Sequence, residues 1–439
     1  MSVDTGNTAW VLVSAAMVLL MTPGLALFYG GLTRAKSVVN MMMKSLAALG
    51  IVSVLWVLYG YSLAFAEGNA VLGGLSELGL RGILDRVDAA TGMPDMAFIG
   101  FQLMFAVITV ALVSGGVADR MKFNAWVIFT LAWATIVYFP VAHWVWGGGF
   151  IGADGMGALD FAGGTAVHVN AGAAALALVL VLGKRLGWRN GASFAPHNLP
   201  LVMLGTGLLW FGWFGFNAGS QLASDGTAAL VLVNTQVAAA AAVLGWLVIE
   251  RVRGSKPSVL GACSGAVAGL VAITPACAFV SPLGAIGIGA VAGAVCALAV
   301  SLKHRLGYDD ALDVVGIHLV GGAVGSILIG VFALPELTGG PAGLLYGGGA
   351  GLLGTQAAAV AIVGVFSFAV AGAIGLALKY TTGIRVAPEA ELAGIDTIEH
   401  AEAAYDLAVG ETLADDDPST LSGESEVNEP AERELALRG

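Results

Sequence analysis

Eleven long apolar segments run along the chain, at about 8–30, 45–66, 97–118, 124–146, 164–183, 198–217, 227–250, 257–277, 283–302, 314–334 and 355–379. Each approaches the roughly 20 residues that a helix needs to cross a bilayer. Polar residues gather between these segments, and their charge alternates. Of the 19 Lys and Arg residues, 15 follow odd-numbered segments, from Arg34, Lys36 and Lys44 after the first to Lys379 and Arg385 after the last. Basic loops stay on the cytosolic side. The pattern predicts an all-α polytopic membrane protein of eleven transmembrane helices, with its N-terminus outside and its C-terminus in the cytosol. The stretch 1–9 carries Asp4 and no basic residue. It does not read as a cleaved signal, which needs a positive start.

Segments 1–5 and 6–10 form two sets of five, with the eleventh left over to brace the bundle. Five crossings is an odd number, so the second set is inverted relative to the first. Inverted repeats place a substrate path at their interface. At that interface the two sets carry the same signal. Asp160 is followed eight residues later by His168, and Asp310 by His318, each at the start of a fifth segment. Ionisable groups in a span are expensive and mark functional paths. The two histidines enter from opposite faces. If the apolar boundaries were membrane edges, each would lie only about 8 Å deep at 1.5 Å rise per residue. To meet, the Asp160–Gly164 stretch must sink into the protein, with Asp160 as a helix cap.

Composition agrees with a membrane setting. The 439 residues are 57% hydrophobic and 11% charged, and 64 are glycine. Small residues let membrane helices approach closely. Cys263, Cys277 and Cys296 all lie in apolar stretches without metal or disulfide spacing. No cofactor, metal or nucleic acid is expected. The net charge of −11 comes largely from the C-terminal tail. Residues 385–407 have a helical pattern with a glycine break. Residues 408–439 carry nine acidic residues against two arginines and read as disordered. The expected division is therefore a membrane domain at 1–384, a cytosolic regulatory segment at 385–407 and an acidic tail at 408–439.

His143, His168 and His318 are the titrating groups within the spans, whose interiors carry no Asp or Glu. A hydrogen-bonded imidazole pair leaves an edge that both donates and accepts, which suits a small polar molecule better than a hydrated cation. His143, near the outer end of its span, reads as packing. Two outer stretches are aromatic: Ala142–Gly149, with Trp144 and Trp146, and Gly212–Ser220, with Trp213, Phe214 and Phe216. An indole face attracts cations. Together the stretches suggest a shallow outer site for a small cation.

FQLMF (101–105), AHWVWGGG (142–149), ALDFAGGTAVHVNAG (158–172), PHNLP (196–200), GWFGFNAGS (212–220), LGACSGAVAGLVAITPAC (260–277) and DDALDVVGIHLVGG (309–322) resemble the ammonium transporter family, with its Mep and Rhesus branches. The resemblance spans about residues 5–407. It implies a homotrimer with one pore per subunit and ammonium or ammonia, with methylammonium as an analogue, as substrate. By that pattern Trp146, Phe105 and Ser220 form an outer ammonium site, and Phe105 and Phe216 a stacked gate. His168 and His318 line the pore, Asp160 supports recruitment, and Thr274 lies near the vestibule. Asp310 and Asp313 belong to the second aspartate–histidine stretch. The segment 385–407 resembles the cytosolic tail that meets the trimeric PII signal protein. Two other classes compete: a redox protein with His168 and His318 as axial haem ligands, and a sensor that binds ammonium and signals through the tail without much flux.

Overall fold

The computed structural model describes residues 3–188 and 194–405. The acidic stretch 408–439 lies outside the described residues. Among the described residues every regular element is helical, with two isolated bridges, Val87–Pro94 and Met121–Arg385, as the remaining backbone pairing. Ten helices among the described residues are long and apolar enough to cross a membrane: α1 Thr5–Leu32, α2 Ala35–Phe65, α3 Asp95–Val117, α4 Phe123–Trp146, α5 Gly164–Leu182, α6 Leu199–Gly219, α7 Gly226–Val252, then, after the shorter α8 Val259–Ile273, α9 Pro282–Leu306, α10 Val315–Phe332 and α11 Gly351–Tyr380. This is a multi-pass membrane protein.

Two boundaries differ from the pattern. The eighth apolar segment gives a helix of only 15 residues, because the chain turns at Thr274–Phe279 instead of continuing. The second span starts earlier than expected. The polarity of Lys44 argued for a start at 45, yet Lys44 sits inside α2, fully buried. The neighbouring indole N–H of Trp126 bonds its carbonyl at 2.9 Å.

Helix α1 packs along α6, α7 along α9, and α5 against both α10 and α11. The α5–α10 crossing is close because glycines occupy it. A Cβ on Gly172 would stand 2.4 Å from the Leu319 nitrogen, and one on Gly322 would stand 2.8 Å from the Gly164 carbonyl. Any side chain there would push apart the two helices that carry the histidines.

At the end of the bundle with the basic loops, buried charges tie the loops together. The Arg185 guanidinium bonds Asp309 at 2.8 Å and Asp119 at 3.0 Å, all three side chains being nearly inaccessible. Arg120 donates to the Asp309 carbonyl at 2.7 Å. Two short helices, α12 Pro388–Ala393 and α13 Ile395–His400, lie across these loops. Asp396 accepts from the Val39 and Asn40 N–H groups, Glu399 from Phe123 N–H and Glu391 from Leu186 N–H. Three acidic side chains thus hold donors from three different loops or helix starts, where backbone N–H groups lack intrahelical partners.

A pH dependence follows. Burial pushes the Asp119 and Asp309 carboxyls up, but the Arg185 charge and its hydrogen bonds, with Arg34 beside Asp119 and Arg120 beside Asp309, outweigh it and hold both below the usual range. A depressed carboxyl stabilises the fold above its unfolded value, near 4, and that contribution is lost as pH falls through the folded value. The melting temperature in detergent should therefore hold from pH 7 to 5 and drop below about pH 4. Asp309→Asn should destabilise the fold at pH 7 by about 3–5 kcal/mol, with a lower melting temperature, and flatten the acid limb. An acid limb unchanged in that variant would show that other carboxylates control it.

Candidate functional site

The site begins with a loop that cannot be helical. Gly163 has φ +115°, a left-handed conformation in which a Cβ would strike Val167 at 2.5 Å. The turn lets Asp160 fold back over the start of α5. Its carboxylate accepts the N–H groups of Gly163, Gly164 and Thr165 at 2.7–2.8 Å and of Ala166 at 3.2 Å, and it also accepts the Thr165 hydroxyl. One side chain thus satisfies the orphan donors of a helix that starts below the surface. The turn that follows, Gly164–Val169, is π-helical and fully buried. A π turn widens the helix and rotates what it carries, here His168.

The second half repeats the device more lightly. Asp310 caps Val314 and Val315 N–H at 3.2 and 2.8 Å, and the π turn Val315–Leu319 carries His318. Asp313 has φ +62°, and its carboxylate meets the Lys303 ammonium at 2.5 Å. Lys303 also donates to the Asp310 carbonyl at 2.9 Å.

The imidazoles of His168 and His318 meet, Nδ1 to Nδ1 at 3.2 Å, with ring centroids 5.3 Å apart. Both are buried, and His168 Nε2 has no protein partner. A neutral pair shares one proton between the Nδ1 atoms. One ring then keeps a bare Nε2 and the other an Nε2–H. A haem iron would need both rings to face it across a macrocycle, and here their nitrogens are already in mutual hydrogen-bond contact.

Above His168 the rings continue upward. Trp213 lies 5.5 Å from it, nearly parallel, and Phe216 lies 6.2 Å away. Phe216 stacks on Phe105 at 4.1 Å and 24°. The Trp146 indole stands perpendicular to Phe105 at 6.1 Å, its N–H fixed at 2.9 Å on the Asp160 carbonyl. The Asp160 loop therefore positions both Trp146 and His168. Over the phenylalanine pair opens a cavity of about 400 Å³, lined by Gln102, Phe105, Trp146, Asp154, Phe161 and Ser220. The Ser220 hydroxyl donates to the Phe216 carbonyl at 2.8 Å, so its oxygen can still accept. Under the pair a slot of about 10 Å³, walled by Ile108, Val167, Trp213, Phe216 and both histidines, has room for little more than one water-sized molecule. A third cavity of about 350 Å³ at the basic end includes Ser264 and Asp313.

Thr274 is fully buried and lines none of these spaces. Its hydroxyl accepts the Trp213 indole N–H at 2.8 Å and donates to the Leu270 carbonyl, so it orients the ring stacked on His168. His143 faces two carbonyls, Ala64 and Asn69, at 3.0 and 2.7 Å. Two residues outside the sequence-based site also line the outer cavity: Gln102, whose Oε1 is buried without a partner, and Asp154. Gln102 lies one helical turn before Phe105, a signal the spacing carried.

The sequence matches the Ammonium Transporter Family over residues 9–405. The chain belongs to this family. An ammonium transporter of Mycobacterium tuberculosis (strain ATCC 25618 / H37Rv) is 54% identical over 437 residues, covering 92% of this chain and 91% of the relative. One from Bacillus subtilis (strain 168) is 48% identical over 403 residues, covering 91% and 98%. Among solved structures, Candida albicans Mep2 superposes with a TM-score of 0.83 at 36% identity, covering 95% and 93%. A protein titled Sensor Amt Protein gives 0.83 at 29% identity, covering 90% and 98%. The family member described here thus has near full-length relatives in bacteria and fungi.

Proposed function

We propose that the chain is an ammonium transporter of the cell membrane, acting by transport rather than by catalysis. Ammonium is held in the outer cavity by the Trp146 and Phe105 rings and the Ser220 oxygen. It gives up a proton at the Phe105–Phe216 gate. Neutral ammonia then passes His168 and His318, and the proton returns outside or moves separately along the histidines. The observation that carries this reading is the stacked gate between a cation-compatible cavity and a slot with apolar walls. A charge carried into such a slot costs at least ~3 kcal/mol, with no carboxylate there to offset it. Asp160, Asp310 and Thr274 support the path by position without lining it, and Asp313 lines the cavity at the basic end.

The finer architecture belongs to the same reading. Val259–Ile273 would be the eighth of eleven crossings, helped across by the Thr274–Phe279 turns. The pairings α1–α6 and α5–α10 support an inverted 5+5 repeat, with the N-terminus outside. We place the domain boundaries at 384 and 407, take the assembly as a homotrimer in the bilayer, and assign the segment 385–407 to a PII-type partner. The strap of α12 and α13 across the loops supports that last role. It also gives a second reading, a sensor, some ground, because a structural neighbour bears that title. Flux in liposomes separates the two.

The direct test is Trp146→Leu. It removes a ring worth roughly 0.5–2 kcal/mol to a bound cation, so half-saturation for ammonium should rise several-fold while the melting temperature holds. Unchanged half-saturation in a flux assay would remove Trp146 from the site.

A further inference from the structure

Away from the pore, a groove of about 450 Å³ lies between the start of α4 and the end of α11, lined by Lys122, Asn124, Val127, Ile128, Thr382 and Gly383. It sits at the end of the bundle that carries the basic loops. We propose that it binds the headgroup of an anionic phospholipid in the leaflet on that side.

Charge is the first argument. Lys122 is half-buried and makes no ion pair among the described residues. The nearby acid, Glu399, is engaged with the Phe123 N–H. Gly383, at φ +74°, leaves the Lys122 ammonium only 3.2 Å from where its Cβ would stand, which keeps the cation against the groove wall. Backbone donors are the second. The first backbone bond of α4 runs from Trp126 N–H to the Lys122 carbonyl. The N–H groups of Asn124 and Ala125 precede it, at a helix start where anions are favoured. The Asn124 amide and Thr382 hydroxyl add neutral polar contacts.

The third argument selects a lipid over a free anion. The groove runs directly into exposed apolar surface: Ile128 and Leu131 on α4 and Leu376 on α11, with Tyr380 exposed at the helix end. Tyrosine at that level marks the headgroup zone. A phosphodiester at Lys122 would therefore have its acyl chains against side chains already facing hydrocarbon. Juxtamembrane lysines gain about a factor of five each from anionic lipid.

Native mass spectrometry of the delipidated, full-length protein tests this, titrated with dioleoyl phosphatidylglycerol or dioleoyl phosphatidylcholine. Wild type should bind the first phosphatidylglycerol several-fold more tightly than phosphatidylcholine. Lys122→Gln should erase that preference, with an affinity loss of about five-fold. Lys122→Arg, which keeps the charge, should retain it, as should Lys256→Gln, which removes an exposed lysine from another loop. Thr382→Met, which fills the groove without touching the charge, should also weaken binding. Equal affinities in wild type and Lys122→Gln would overturn the site. Displacement by excess inorganic phosphate would overturn the lipid assignment in favour of a free anion.

Discussion

Asp160→Ala should abolish ammonium-driven current and lower the melting temperature sharply. The buried carboxylate accepts four backbone N–H groups and a hydroxyl. Each buried donor left unpaired costs about 1–3 kcal/mol. Once the acceptor is gone, the left-handed turn at Gly163 keeps only the bonds of its carbonyl to the Val167 and His168 N–H groups. Trp146 hangs from the same loop by its indole N–H, and His168 rides on the turn that the loop starts. Loss of the carboxylate therefore disturbs the outer cavity and the histidine slot together, although Asp160 lines neither. Asp160→Asn separates position from charge. Its amide keeps one accepting oxygen and turns an N–H₂ toward other donors, so it should assemble with reduced stability and a low residual current. Asp310→Ala removes an acceptor of only two N–H groups, and its effect should be the smaller. The measurements are melting curves in detergent and currents on solid-supported membranes after an ammonium jump. Wild-type current from a well-folded Asp160→Ala protein would show that the loop holds without its cap.

That contrast bears on how much the sequence disclosed. The aspartate–histidine spacing, given twice, pointed to the pair that the structure brings to 3.2 Å. The requirement that the Asp160 loop sink below the surface followed from depth alone, and Gly163 with the capped π turn is how the chain meets it. Helix positions were legible wherever apolar runs ended in polar loops. They failed at Lys44, since a polarity scale places every lysine outside, whereas the fold covers this one with α4 and the strap. The Arg185–Asp119–Asp309 cluster was also hidden. Its members lie 66 and 124 positions apart, and nothing in their local sequence separates a buried ion pair from a loop charge. In the sequence Trp213 is one more aromatic of the outer stretch, and only its bond to Thr274 and its stacking on His168 make it a wall of the slot. Local pattern discloses caps, spans and spacing. Contacts between distant loops require the fold.

The histidine pair gives the last expected result. In wild type one imidazole donates to the other, so each fixes its partner's ring plane and tautomer. His168 is further held between Trp213 and His318, and its Nε2 has no protein partner. The exposed edge of the pair offers one donor and one acceptor, which matches ammonia and a transferred proton but cannot replace the hydration shell of potassium. Replacing His168 with Ala removes a ring from a slot that holds barely one water-sized molecule. The vacated volume admits water, and His318 loses the partner that set its tautomer. Two outcomes are consistent with a relay: charge movement stops, or the widened path conducts hydrated cations. His318→Ala should behave alike, because the shared bond needs both rings. His168→Asp keeps a proton acceptor but puts a negative charge among carbon walls, which should draw potassium through at a rate far above wild type. Ammonium current and potassium current are measured side by side in proteoliposomes for the four proteins, with Asp160 intact in all of them. Loss of ammonium selectivity in the variants would tie permeation to the pair. Retention of wild-type rate and selectivity in all three would reduce both histidines to packing, and the path would then have to run elsewhere through the bundle.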